Sequence, residues 1–198
     1  VEKLHKATIE VIPDRIEAGT YMIIGALTGN NLKIENIIPE HVEALILKLK
    51  ESGVDIVIND DNCIINKVDY LKPIKIKTLG FPGFATDLQQ PLSTFLTQCN
   101  GVSTIEETLY ENRFKNLEQL KIMGAKYKID GKKAYVTGKT KLKGSVVKST
   151  DLRGGACLVI AGLIAEGTTI IEEAEHILRG YSNIVEKLRN VGAKIEIE

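Results

Sequence analysis

Four charged residues of this 198-residue chain, one aspartate and three arginines, have types and positions that could form a binding site. Asp87 and Arg153 fall in the first turns of two segments that we interpret as buried helices. Arg113 and Arg179 fall in loops that precede amphipathic segments. Helix N-termini carry free N–H groups that favour anions, and a cation such as Arg153 is unfavourable there unless a carboxylate or phosphate lies beside it. Three arginines near helix starts therefore predict a phosphate or carboxylate site.

Simpler structural roles remain open for the same residues. Asp87 and Asp151 both stand where an N-cap belongs, and capping alone explains an aspartate at such a position. An isolated surface arginine is usually only solvated, which applies to Arg113 and Arg179. The choice between these roles depends on where the secondary-structure elements place each side chain.

The elements that position these residues belong to a unit that recurs three times. Segments that we interpret as the first helices begin at Asp14, Thr86 and Thr150. A second, amphipathic helix ending in a glycine follows in each unit, and the period of about seventy residues is longer than that of the common solenoid repeats. The expected units, which together form one globular domain, span about residues 14–70, 71–138 and 139–198.

Each unit combines helices with a strand and a hairpin. Apolar periodicity predicts helices over 15–28, 40–52, 87–99, 116–123, 152–166 and 183–191. Alternating and β-rich runs predict strands over 31–37, 54–58, 62–66, 74–78, 101–108, 126–129, 133–137, 142–148, 168–172 and 194–198.

The first helices of the units are expected to form the centre of the fold. They contain many small residues and are apolar on most faces, which is typical of buried helices that approach one another closely. The sheets and second helices then lie outside. This arrangement is an inside-out α/β barrel of three repeated α/β units, in the α/β (α+β) class, and it directs the helix N-termini toward a common end.

Composition excludes several function classes. Lys plus Arg and Asp plus Glu each number 26, so the net charge of zero argues against a nucleic-acid partner. No apolar run is long enough to cross a membrane, and a cytoplasmic setting is the default expectation. The cysteines and histidines have no metal-ligand spacing, so no metal is expected, and we expect inert, buried thiols at Cys99 and Cys157.

The two ends of the sequence predict an incomplete molecule. Residues 9–13 are strand-like and stop at a proline, which suits an element that enters from another part of the protein. The third unit ends before the hairpin partner of its last strand, which leaves an edge exposed. Since the chain also begins with Val1 rather than methionine, we expect an amino-terminal part that is missing from this sequence.

Several motifs in the same order closely resemble those of the UDP-N-acetylglucosamine 1-carboxyvinyltransferases, a family of enolpyruvyl transferases. The resemblance covers essentially the whole chain but only the carboxyl-terminal half of the family's proteins, which have two domains of three α/β repeats and an active site between them. The motifs are DRIEAGT (14–20), FATDLQ (84–89), YENRF (110–114), DLR (151–153) and HILRGY (176–181).

The resemblance implies a reaction and a role for five residues. The family transfers the enolpyruvyl group of phosphoenolpyruvate to the 3-hydroxyl of UDP-N-acetylglucosamine and releases phosphate, in peptidoglycan precursor synthesis, without a cofactor. Asp87 matches the carboxylate beside that hydroxyl, as substrate ligand and candidate general base, and Leu109 matches a backbone contact to the nucleotide sugar. Arg153 and Arg179 match the arginines that hold phosphoenolpyruvate, and Arg113 matches another arginine of the cleft.

The sequence also departs from the family. Ala85 replaces the usual proline before the Thr-Asp-Leu-Gln motif, and Gly154 and Gly155 follow Asp-Leu-Arg, which lowers local helix propensity. The family's catalytic loop and its amino-terminal lysine have no counterpart in this chain. We therefore expect the missing amino-terminal half to be its partner, and the chain alone to be inactive.

Two other functions remain as alternatives. The sister enzyme 5-enolpyruvylshikimate-3-phosphate synthase shares the fold and chemistry, although the 110–114 and 176–181 motifs favour the sugar-nucleotide enzyme. A non-catalytic module that binds a sugar nucleotide or another anion, or acts as a scaffold, is the alternative from a different class. Binding of UDP-N-acetylglucosamine rather than shikimate 3-phosphate would distinguish the sugar-nucleotide enzyme from its sister enzyme.

Overall fold

The computed structural model describes residues 3–198 as a mixture of helices and short strands. The helices of this range are α1 (Arg15–Thr28), α2 (Glu43–Ser52), α3 (Thr86–Leu96), α4 (Lys115–Ile122), α5 (Leu152–Ile164), α6 (Glu175–Leu178) and α7 (Ile184–Asn190). The strands are β1 (Leu32–Glu35), β2 (Asp55–Ile58), β3 (Asn62–Asn66), β4 (Lys75–Lys77), β5 (Val102–Glu106), β6 (Lys126–Asp130), β7 (Lys133–Thr137), β8 (Val146–Lys148) and β9 (Ile170–Glu172).

The strands form three sheets that follow one another along the chain. The first has the order β1-β3-β2 and is antiparallel, the second has the order β4-β5-β7-β6, and the third pairs β8 with β9 in parallel. In the second sheet β5 is parallel to β4 and antiparallel to β7, so Ile105 lies opposite both Ile76 and Ala134. Among the described residues β1 pairs only with β3 and β9 only with β8, so the first and third sheets have fewer strands than the second.

Three helices, α1, α3 and α5, pack against one another at the centre. Met22, Phe95 and Leu158 from these helices are almost completely buried. Small residues allow the close approach: a Cβ at Gly19 of α1 would lie 2.7 Å from Leu88 Cδ2 of α3. The predicted inside-out arrangement of buried helices and outer sheets is what the structure shows.

Helix α3 differs from its two neighbours in what it buries. It places Gln89, Gln90, Ser93 and Thr94 in the interior, each at most 2% exposed. Thr94 Oγ1 donates to the carbonyl oxygen of Cys157 in α5 at 2.8 Å. Because hydrogen bonds offset part of the cost of burying polar groups, α3 can be central without being apolar on every face.

The structure corrects several predicted elements. Residues 9–13 and 194–198 are not strands, because a strand needs a pairing partner and neither segment has one among residues 3–198. The predicted helix over 40–52 begins with a 3-10 turn, Pro39–Val42, where proline sets the first backbone angle. Helix α6 was not predicted, since one turn is too short to show a periodic pattern.

Within residues 3–198, every helix is too short or too polar to span a bilayer.

Candidate active site

Asp87 lies between two arginines at the start of α3. Its Oδ1 accepts a hydrogen bond from Arg113 Nη2 at 2.6 Å, and its Oδ2 accepts one from Arg153 Nε at 3.2 Å. Arg153 Nη2 is also 3.2 Å from Oδ2, and the aspartate side chain is 38% exposed. Two guanidinium groups around one carboxylate leave one positive charge in excess, so the cluster suits an anionic ligand.

The Asp87 carboxylate is free for this contact because it does not cap α3. The N-cap of α3 is Ala85, which has no side-chain acceptor, and Asp87 is the second residue of the helix. The interpretation of Asp87 as an N-cap is therefore wrong. Its ion pairs with Arg113 and Arg153 account for the orientation of this side chain.

The interpretation of Asp151 as an N-cap, in contrast, is confirmed. Its Oδ1 accepts from the backbone N–H groups of Arg153 at 3.0 Å and Gly154 at 2.8 Å. Its other oxygen accepts from Gln90 Nε2 of α3 at 3.3 Å. The cap orders the first turn of α5 and ties it to α3, so the Arg153 side chain leaves from a fixed position and reaches Asp87.

A buried tyrosine holds the far side of the Arg153 guanidinium. Arg153 Nη1 donates to the hydroxyl oxygen of Tyr181 at 3.2 Å, and its Cζ lies 5.5 Å from the centre of the Tyr181 ring. The same hydroxyl lies 3.0 Å from Thr20 Oγ1 of α1. Burial raises the pKa of Tyr181, while the hydrogen bond with Thr20 and the charge of Arg153 oppose that rise. The phenol thus remains neutral at physiological pH.

Arg113 reaches Asp87 from the loop between β5 and α4. Its Cζ lies 4.8 Å from the centre of the Tyr110 ring, a cation–π contact. Arg113 Nε is buried and has no hydrogen-bond partner among the described residues. The guanidinium therefore retains donor capacity beyond its bond to Asp87.

Leu109 lies in the same loop with its side chain exposed. Its backbone N–H donates to Glu107 Oε1 at 2.9 Å. A groove of about 440 Å³ follows the loop and is bordered by Tyr110, Arg113 and Phe114.

A larger groove of about 570 Å³ lies between α2 and the outer face of the second sheet and is lined by residues such as Lys75 and Tyr135. Neither Asp87 nor an arginine of the cluster lines this groove.

The structure brings together two of the three arginines, Arg113 and Arg153. Arg179 follows α6, is exposed and forms no ion pair with any residue in the described range 3–198. Its chain neighbour Gly180 packs tightly on Leu152 at the start of α5, where a Cβ would lie 2.2 Å from Leu152 Cδ1. The backbone at Arg179 is thus close to the helix end that carries Arg153, although its side chain stays in solvent.

Sequence reasoning assigned no role to Thr20, Glu107 or Tyr181. Thr20 and Tyr181 lie within recognised motifs. Their place in the site is identified only by the bond of Tyr181 to Arg153 and the bond of Thr20 to Tyr181. Glu107 had a sequence signal, because Ser103, Ile105 and Glu107 alternate in register toward the interior. A glutamate at an inward position calls for buried hydrogen-bond partners.

The thiols stand apart from this cluster. Cys63, Cys99 and Cys157 are unpaired and buried, and burial raises the pKa of Cys63 and of Cys157 to about 11. The described part of the chain contains no group of three His, Cys, Asp or Glu side chains arranged to hold a metal ion. The cluster of Asp87, Arg113 and Arg153 supplies cations that can bind an anion and a carboxylate that can accept a proton.

Sequence comparisons identify relatives of this chain. The family described as EPSP synthase (3-phosphoshikimate 1-carboxyvinyltransferase) matches residues 1–188. UDP-N-acetylglucosamine 1-carboxyvinyltransferase 2 from Listeria monocytogenes serovar 1/2a is 51% identical over 195 residues, and that from Geobacillus kaustophilus is 52% identical. Each alignment covers 98% of this chain and 46% of the relative, so the chain spans about half the length of the curated relatives it matches.

Solved structures share the fold. The enolpyruvyl transferase NikO from Streptomyces tendae superimposes with a TM-score of 0.86 and 26% identity, covering 95% of this chain and 45% of that chain. EPSP synthase from Acinetobacter baumannii superimposes with a TM-score of 0.79 and 21% identity, covering 95% of this chain and 47% of that chain. The predicted fold class is confirmed, and with a match that extends over residues 1–188 this chain belongs to the EPSP synthase (3-phosphoshikimate 1-carboxyvinyltransferase) family.

Proposed function

We propose that this chain forms the carboxyl-terminal half of a cytoplasmic enzyme that transfers the enolpyruvyl group of phosphoenolpyruvate to the 3-hydroxyl of UDP-N-acetylglucosamine. The observation that carries the proposal is the Asp87 carboxylate held between Arg113 and Arg153 where α3 and α5 begin. It combines a proton acceptor with two fixed cations, and the reaction requires both.

The relatives favour a sugar nucleotide as the acceptor. Proteins named UDP-N-acetylglucosamine 1-carboxyvinyltransferase 2 are 50–52% identical to this chain. The EPSP synthase structure is 21% identical, which supports a common fold and no particular substrate. UDP-N-acetylglucosamine is therefore a better candidate than shikimate 3-phosphate.

Binding of phosphoenolpyruvate would give Arg153, Arg179 and Arg113 new hydrogen-bond acceptors. Its carboxylate and phosphate carry charges that compete with Asp87 for Arg153, and Arg179 has an exposed guanidinium at the same end of α5. Arg113 can turn toward the ligand while its unpartnered Nε gains an acceptor. Substrate anions thus draw the guanidiniums away from Asp87, and this frees a carboxylate oxygen to accept a proton.

The proposed reaction is an addition followed by an elimination. The 3-hydroxyl oxygen attacks C2 of phosphoenolpyruvate and gives its proton to Asp87, while C3 gains a proton from an acid outside this chain. The conjugate base of that acid then takes a proton from C3 of the tetrahedral intermediate while phosphate leaves C2, which restores the double bond. The departing phosphate takes the proton from Asp87, so both groups return to their starting states. Arg153 and Arg179 stabilise the negative charge on the carboxylate and phosphate throughout.

The remaining groups of the proposed site bind the sugar nucleotide and the other half of the protein. The Leu109 N–H is bound to Glu107, so the carbonyl oxygen of Leu109 is its available backbone contact for the nucleotide sugar. Leu79, Phe81, Leu109 and Tyr110 are large side chains that are 46–61% exposed on loops around the start of α3. We propose that this apolar rim faces the amino-terminal half across the cleft.

The proposed repeat units of this domain span about residues 14–70, 71–138 and 139–198.

Phosphate release tests the proposal. Three preparations are compared: this chain alone, the full product of its gene, and a chimera in which this chain replaces the matching carboxyl-terminal segment of the Listeria monocytogenes relative. Each receives phosphoenolpyruvate with either UDP-N-acetylglucosamine or shikimate 3-phosphate. We expect release only with UDP-N-acetylglucosamine, in the chimera and in a gene product that includes the other half, and none from the chain alone. Arg153→Ala is the inactive variant and Arg189→Ala, at an exposed position of α7, is its matched control.

Each other outcome has a defined meaning. Release from a clean preparation of this chain alone contradicts the need for a partner half. Release with shikimate 3-phosphate reassigns the acceptor. Silence of a folded chimera, with retained binding of UDP-N-acetylglucosamine in calorimetry, moves the assignment to a non-catalytic binding module.

A further inference from the structure

Glu107 is a buried carboxylate that the proposed reaction does not use. The residue is 2% exposed and follows directly after β5. Among the described residues no lysine, arginine or histidine forms an ion pair with it. A buried charge without a counterion is strongly unfavourable unless hydrogen bonds replace its lost hydration.

Four neutral donors supply those hydrogen bonds. Glu107 Oε1 accepts from Thr78 Oγ1 at 2.8 Å and from the N–H groups of Leu109 at 2.9 Å and Tyr110 at 3.2 Å. Its Oε2 accepts from Thr86 Oγ1 at 2.8 Å. Oε1 accepts three of these bonds and Oε2 accepts one, so hydrogen bonds replace much of the hydration that the carboxylate loses on burial.

These donors come from three separate segments that converge on the site. Thr78 directly follows β4, and Thr86 opens α3 and immediately precedes Asp87. Leu109 and Tyr110 belong to the loop that carries Arg113, whose guanidinium lies on the Tyr110 ring. One carboxylate thus fixes the start of α3 relative to the loop after β5.

We propose that Glu107 is a positioning residue that sets the separation between Asp87 and the Leu109–Tyr110 backbone, and thereby places the acceptor sugar against the Asp87 carboxylate. This inference rests on the proposed function. Glu107 does not contact the substrate in this assignment. It acts through Thr86 on one side and through two backbone N–H groups on the other, so its loss affects the sugar nucleotide more than phosphoenolpyruvate.

Steady-state kinetics of E107A, E107Q and E106A in the chimera test the inference. Glu106 is the matched control, because it is adjacent and only forms ion pairs with Lys77 and Lys133 at the surface. For E107A we expect the KM for UDP-N-acetylglucosamine to rise about tenfold and kcat to fall about tenfold, as a displacement on the order of 1 Å produces effects of this size. The KM for phosphoenolpyruvate should stay within about threefold, because Asp151 and Tyr181 anchor Arg153 independently.

E107Q provides rescue by a conservative variant. The glutamine oxygen can replace Oε1 and keep both N–H bonds, and its amide can donate to Thr86 Oγ1. We expect E107Q to recover kcat/KM to within about threefold of the parent, which a simple requirement for charge does not predict. Assays run below the unfolding midpoint of every variant, since loss of stability alone leaves both KM values unchanged there.

Thr86→Val keeps the inference testable where E107A fails to fold. This variant removes only the bond to Oε2, so kcat should fall while the KM for UDP-N-acetylglucosamine stays constant. Kinetics of E107A equal to those of E106A, or kinetics of Thr86→Val equal to those of the parent, overturn the inference. A parent chimera without activity contradicts the proposed function instead, and calorimetry with UDP-N-acetylglucosamine then decides. Binding that is several-fold weaker in E107A than in E106A supports placement of the sugar nucleotide by Glu107, and equal binding refutes it.

Discussion

The starts of α5 and α3 lie side by side, and each has an aspartate: Asp151 is the N-cap of α5, and Asp87 is the second residue of α3. The two carboxylates bind different groups. Asp151 binds the N–H groups of Arg153 and Gly154 and orders its own helix. Asp87 lies two positions beyond the N-cap of α3 and binds two guanidiniums that come from other segments. Helix α1 follows the α5 pattern, with Asp14 as its cap.

The difference shows how a repeated unit can separate stability from function. A capping aspartate satisfies helix N–H groups and is worth about 1 kcal/mol. At α3 this contribution is absent, and the carboxylate is available to arginines and, in our proposal, to a substrate proton. Threonine and glutamate take over the local ordering, because Thr86 Oγ1 is bound to Glu107.

The largest expected effect separates these two roles at Asp87. Asp87→Asn removes the proposed proton acceptor and should lower kcat of the chimera about 1,000-fold, within the range of general acid–base contributions. Its free energy of unfolding should change by less than about 1 kcal/mol, because the side chain is 38% exposed and caps nothing. Asp14→Asn is the stability control, since asparagine also caps helices. A variant that keeps its kcat but unfolds more readily contradicts the comparison.

The next effect concerns the support of Arg153. Tyr181→Phe removes the hydroxyl that joins Arg153 to Thr20, and the KM for phosphoenolpyruvate should rise about tenfold, as for a lost hydrogen bond to a charged group. Initial-rate measurements on the chimera test this. Tyr70→Phe, at an exposed tyrosine, serves as control. An unchanged KM shows that capping by Asp151 alone positions the guanidinium.

A third prediction concerns the thiol of Cys157, which is buried in α5. Burial raises the pKa of Cys157 to about 11 from 9.0. Above pH 9 the unfolded chain loses the thiol proton while the folded chain keeps it, so folding binds more protons and stability falls as pH rises. The loss is about 1.4 kcal/mol per pH unit between pH 9 and 11 for this thiol. Urea unfolding followed by circular dichroism should give a shallower pH slope for Cys157→Ala, and an identical slope rules out the assignment.

The smallest effect tests the capping side of the comparison. Asp151→Ala should lower the free energy of unfolding by about 1 kcal/mol, while Asp87→Ala should change it less. Urea titration of the chain under two-state conditions measures both. Equal losses for the two variants would mean that the starts of α3 and α5 are not different in energetic terms.

Sequence patterns predicted the parts of the fold that depend on neighbours along the chain. The bounds of α1 and of β3 agree with the prediction, and α5 begins at the predicted residue. Asp151 was assigned as a cap from its position alone. These features follow from apolar periodicity and from acceptors two or three residues away from their donors.

Local patterns failed where a distant partner decides the outcome. Residues 194–198 have alternating character, but no described strand lies beside them, so they do not form one. Asp87 looked like a cap because its residue type and position fit one. Arg179 was grouped with two arginines that the structure pairs with Asp87, whereas Arg179 itself remains exposed.

The sequence by itself predicted the three repeated units, the buried central helices and the family, because composition, spacing and motif order indicate them. Tertiary structure alone decided which polar groups meet. Asp87 and Arg153 are 66 positions apart and Thr20 and Tyr181 are 161 apart, so their hydrogen bonds exist only after the helices have packed. Packing brings such groups together in an interior of low polarity, where an unpaired polar group is costly, and this cost favours the hydrogen bonds that form the site.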